Sequence, residues 1–71
     1  MNQEFAVVVE QDEEGYYIAE VPGVPGCHTQ AKSLAGLMGR IKVAITLCLE
    51  VQTKPLPKTR LIGVQRVEVT V

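Results

Sequence analysis

The sequence predicts an α+β fold of the form β-β-β-α-β: a four-stranded mixed sheet, strand order 3-2-1-4, with one helix on one face. Three observations predict it. Short runs suited to strands come first, at about residues 4–11, 16–21 and 27–30. One long stretch with helical apolar spacing follows at about 34–51, and after a linker at 52–60 the chain closes on an alternating segment, 61–71. The whole reads as one domain, residues 1–71.

Residues Glu4 to Gln11 are rich in β-branched side chains, with Phe5, Val7 and Val9 on one face of the expected strand. Ala6 and Val8 make the opposite face apolar as well. The turn Asp12-Glu13-Glu14-Gly15 is polar and ends in glycine, which suits a short hairpin loop. A second strand runs from Tyr16 to Val21 and is ended by Pro22, and Cys27 to Gln30 forms a short third one. Ser33 is placed to cap a helix, since its hydroxyl can accept a hydrogen bond from an early helical amide. From there Leu34, Leu37, Met38, Ile41, Ala44, Ile45, Cys48 and Leu49 recur at helical spacing and define the buried stripe. Pro55 and Pro57 make the linker extended. In the last segment Val67, Val69 and Val71 alternate with polar residues, the pattern of a half-buried strand. A right-handed helical crossover would return that strand beside and parallel to the first, which gives the order 3-2-1-4. One helix cannot cover both faces of such a sheet.

With 71 residues, 46% hydrophobic and 21% charged, the chain is globular but near the size at which one core supplies little net stability. Self-association, as a homodimer or larger, is therefore expected. The net charge is −1 and the seven lysines and arginines are dispersed, which argues against direct nucleic-acid binding. Two cysteines do not make a disulfide framework. The start Met1-Asn2-Gln3-Glu4 has no basic leader, and no apolar run reaches the roughly 20 residues that span a bilayer, so the expected location is cytoplasmic, with no membrane partner.

The most distinctive local feature is Val21-Pro22-Gly23-Val24-Pro25-Gly26-Cys27-His28-Thr29-Gln30. Prolines that fix φ interleave with glycines that permit positive φ, so Pro22, Gly23, Pro25, Gly26 and Cys27 form a rigid structural turn. The order of a strand at Gly15 to Glu20, this P-x-x-PGC-x-T turn and a helix opened by Ser33 resembles the N-terminal domain of HicB-type antitoxins. The resemblance covers roughly residues 5 to 51. It implies a partial ribonuclease-H-like architecture and a domain that binds and blocks a small RNA-cleaving HicA-type toxin. Such antitoxins also carry a C-terminal DNA-binding segment, and this chain shows none, so a stand-alone HicB-like domain is expected.

A ribonuclease-H-like topology raises nuclease chemistry, which needs clustered carboxylates holding metal ions about 4 Å apart. The core-facing positions Phe5, Val7 and Val9 carry none, and Glu4, Glu10, Glu20 and Glu50 read as solvated surface. Cys27 and His28 are neighbours on extended chain and point to opposite faces, so they form neither a metal site nor a nucleophile–base pair. Gly23 and Gly26 lead into a strand, and thus do not make a phosphate loop. No catalytic, cofactor or metal site is expected.

The outer side of the helix is less ordinary. Gly36, Gly39, Val43 and Leu47 fall away from the core stripe, where a solvated helix carries charged residues. Together with Ala6 and Val8 on the open sheet face, they are the candidate protein interface. The expected function is a non-enzymatic protein-binding module that neutralises a HicA-type toxin. The alternative is an orphan HicB-like scaffold or regulator with no toxin partner.

Overall fold

The computed structural model describes residues 3–71; Met1 and Asn2, part of the N-terminal reading above, lie outside the described residues. Three strands and one helix form in the order β1 (Val8–Gln11), β2 (Tyr17–Glu20), β3 (His28–Ala31) and α1 (Leu34–Val51). The sheet is a simple antiparallel meander, β1-β2-β3. Val8 stands opposite Glu20 and Gln11 opposite Tyr17, while on the other side Tyr17 pairs with Ala31 and Glu20 with His28.

The expected four-stranded sheet of order 3-2-1-4 is corrected by this topology. Residues 61–71 form no strand and pair with none of the described strands, and every one of them is exposed. The alternation of Val67, Val69 and Val71 meets the pattern of a strand, but a strand exists only when a neighbour takes up its amides and carbonyls. The first strand is also shorter than expected, beginning at Val8 and ending at Gln11.

The β1–β2 hairpin is held by its loop. Asp12 Oδ1 accepts hydrogen bonds from the amides of Glu14 and Tyr16, each at 2.9 Å. The Asp12 amide donates to the Tyr16 carbonyl at 2.9 Å. The helix begins where the sequence puts it: Ser33 is extended, and its Oγ accepts from the Gly36 amide at 3.0 Å.

Helix α1 packs over β3 and β2 and leaves β1 uncovered. Ala19, Val21, Val24, Cys27, Ala31, Leu37 and Ile41 form the buried core. Phe5, Val7, Ala44, Ile45, Cys48, Leu49 and Leu56 pack around it, half-buried. The offset helix is why Val9, which shares a face with the buried Ala19 opposite it, stays 40% exposed.

Candidate functional site

The turn between β2 and β3 is built from two consecutive β-turns. The Val24 amide donates to the Val21 carbonyl and the Cys27 amide to the Val24 carbonyl, each at 3.0 Å. Each turn has proline at its second position and glycine at its third, the placement these two residues favour. Gly26 takes φ +79°, as a type II turn requires, whereas Gly23 keeps a negative φ. The repeat of three therefore aims Val21, Val24 and Cys27 inward, and all three are fully buried. Pro22 and Pro25 face solvent. The turn is a wall of the core, and Val24 belongs to that core although it sits in a loop.

Cys27 lies in the turn, just before the strand expected to contain it. Its thiol is buried and neighbours that of half-buried Cys48 on α1, both cysteines being free. Burial first, and then the neighbouring Cys48 thiol, push the Cys27 pKa up to about 11, which makes it a poor nucleophile. His28 points the other way, its Nδ1 3.1 Å from the Gly26 carbonyl oxygen.

The helix flank beside β3 collects four of the candidate interface residues into one place. Gly36, Gly39, Val43 and Leu47, with Ala44, Thr29 and Arg40, line an open groove of about 550 Å³. Val43 is 59% exposed and Leu47 55%, both on the outer wall of the groove. Gly36 and Gly39 make this wall low for different reasons. A Cβ on Gly36 would come within 3.0 Å of Ser33 Oγ, so its smallness serves the helix cap. A Cβ on Gly39 would meet nothing within 4 Å, so nothing inside the chain requires that glycine. Arg40 and Thr29 escaped the sequence reading. Arg40 follows Gly36 by one helical turn, and that spacing is the signal that could have placed it on this flank.

Val8 lies elsewhere, on the sheet face away from the helix, whereas Ala6 precedes the strand and lines a separate cleft with Phe5, Pro22 and Leu56. In register with Val8, the open face presents Glu10, Ile18, Glu20, His28 and Gln30, so its apolar character is interrupted by two carboxylates. Among the described residues, no group of three histidine, cysteine or acidic side chains is placed to hold a metal ion. Nor is any described helix long and apolar enough to cross a membrane.

No family model matches the chain. It is similar to a UPF0150 protein of Archaeoglobus fulgidus, 60% identical over 65 residues that make up 92% of this chain and 93% of that one. A UPF0150 protein of Synechocystis is 42% identical over 94% of this chain and 96% of its own length. One from Thermoplasma acidophilum is 41% identical over 65% of this chain and 67% of its own. The shared length takes in the hairpin, the double turn and the helix together, and on it the chain belongs to the UPF0150 family.

Proposed function

We propose that this chain is a non-enzymatic protein-binding domain of HicB-like character, and that the helix flank between Gly36 and Leu47 is its contact surface for a HicA-type, RNA-cleaving toxin. One observation carries the reading: Val43 and Leu47 stand exposed along a groove they line together with Gly36, Gly39 and the cation Arg40. Exposed apolar side chains at helical spacing suit docking against another protein, and a glycine that nothing inside the chain requires lets a partner backbone approach closely. The P-x-x-PGC-x-T turn and the Ser33-capped helix support the HicB-like part of the proposal by their sequence resemblance.

The test is direct. Calorimetric titration with a HicA-type protein encoded beside this chain's gene, together with an assay of RNA cleavage by that protein, should show tight binding and loss of cleavage. Val43→Lys should abolish both while leaving the melting temperature in place. A chain that binds no such protein and relieves no cleavage defeats the toxin reading and leaves the orphan scaffold.

A further inference from the structure

The groove beside Val43 and Leu47 runs along an edge of the sheet whose main-chain groups are free. The Val21 amide donates to the Cys27 carbonyl at 3.0 Å, and the ladder continues from that pair through Ala19 opposite Thr29 and Tyr17 opposite Ala31. In an antiparallel ladder, hydrogen-bonded pairs alternate with pairs that make no such bond. His28 and Gln30 therefore turn their amides and carbonyls away from β2, toward the outer side of β3. No described strand lies there, and none of the other main-chain hydrogen bonds among the described residues uses these groups. From this edge we infer that the occupant of the helix flank enters as an extended strand, which pairs with His28 and Gln30 and lays alternate side chains into the groove.

The inference rests on the flank being the partner surface, and adds the form in which the partner arrives. Thr29 shares the helix side of the sheet with buried Ala19 opposite it, and it lines the groove together with Gly36, Arg40, Val43 and Leu47. A strand added beside β3 places one residue opposite Thr29. That residue, and those two positions away on either side, face the groove. Five residues of strand span roughly 13 Å. From Gly36 to Leu47 the helix rises roughly 16 Å, so the two lengths agree. A lining of Val43, Ala44 and Leu47 favours apolar side chains at the groove-facing positions.

The composition of the edge agrees. His28–Ala31 contains no lysine, carboxylate or proline, whereas β1 at the other edge carries Glu10. Charges and prolines are the usual guards of an exposed edge, so β3 is the edge left open to pairing. Charge narrows the partner further. Arg40 is the charged residue lining the groove, and with Lys32 it also lines the adjoining hollow at the start of α1, where the lining holds no carboxylate. The entering strand is accordingly apolar on alternate residues and carries an aspartate or glutamate for Arg40.

Amide hydrogen exchange and calorimetric titration with the HicA-type protein encoded beside this chain's gene test the strand. In the complex the His28 and Gln30 amides should exchange roughly tenfold or more slowly than in the free chain. Gln30→Pro removes an outward amide without touching the ladder to β2, a place where an edge strand tolerates proline. It should weaken binding roughly tenfold or more at unchanged helical circular dichroism, whereas Gln30→Ala should bind within about threefold of the wild-type chain. Arg40→Gln should weaken binding roughly threefold or more. His28 and Gln30 amides that stay unprotected in the complex, or a Gln30→Ala variant that loses as much affinity as Gln30→Pro, would overturn the strand. If Val43→Lys still abolishes binding in that case, the flank stands as the contact surface and only the strand falls. Failure of the wild-type chain to bind removes both. Full affinity in Arg40→Gln would overturn the strand's acidic character. Protection of His28 and Gln30 in the free chain, with a dimer in sedimentation, would also overturn the inference and give the edge to a second copy.

Discussion

The amide of Val21 donates to the carbonyl of Cys27 at 3.0 Å, joining the end of β2 to the start of β3 across two stacked turns. That bond holds only while Gly26 keeps its positive φ, because Gly26 sets the direction in which the second turn returns.

Gly26→Val should therefore be among the most damaging substitutions in the chain. A β-branched residue at φ +79° is strained by roughly 1–3 kcal/mol, although a Cβ there would meet no atom within 4 Å. At 4–8 °C per kcal/mol for a domain of this size, the melting temperature should fall by about 5–20 °C. Gly23→Ala, in the companion turn without positive φ, should change it far less. Thermal melts of the two variants decide the point.

Val24→Ala should cost about 2 kcal/mol, two methyl-sized groups and part of a cavity, because the side chain is fully buried in the turn. Val43→Ala, on the exposed flank, should stay within about 0.5 kcal/mol. Denaturant midpoints measured side by side would show whether the turn is part of the core.

Much of this was legible in the sequence, and what was not has identifiable causes. The helix runs over the expected residues, Leu34–Val51, because the cap at Ser33 and the apolar period both report local backbone geometry. The hairpin was legible for the same reason, with Asp12 and Gly15 supplying a turn chemistry readable from four residues. Val24 was not legible as core. Its burial follows neither period 2 nor period 3.6, but a repeat of three made by successive turns. Residues 61–71 mislead because alternation tells which face of an extended segment is apolar and says nothing of whether a neighbour is there to pair with it. Helical spacing put Gly36, Gly39, Val43 and Leu47 on one side of the helix, and they line one groove there, whereas the glycines' separate reasons needed coordinates. Gly36 crowds Ser33, and Gly39 crowds nothing.

Stability should depend on alkaline pH through Cys27. Its pKa is raised in the folded chain from 9.0 to about 11, first by burial and then by Cys48. Between those values the unfolded chain gives up the thiol proton and the folded chain keeps it, so folding stability is fully present below pH 9 and falls as pH rises toward 11. Replacing Cys27 with Ala should flatten this part of the pH profile, at some cost in packing. Denaturant unfolding from pH 8 to 11 measures it, and an unchanged slope in the variant would mean that the lost stability comes from another group.

The two helix glycines give the sharpest separation between folding and binding. Gly39→Ala should stabilise the isolated chain by about 0.5–1 kcal/mol, since alanine is the better helix former and the added methyl has open space. Gly36→Ala gains the same propensity but presses on Ser33 Oγ, which caps the helix, so its net effect should be smaller or reversed. If the flank docks a partner backbone, a larger residue at position 39 should cut binding without harming the fold. Gly39→Gln is the informative variant: it should melt at or above the wild-type temperature, yet bind the HicA-type protein much more weakly, alongside Val43→Lys and Leu47→Lys. A Gly39→Gln variant that binds as well as wild type would move the contact off this part of the flank, whereas loss of binding with full stability would fix it there.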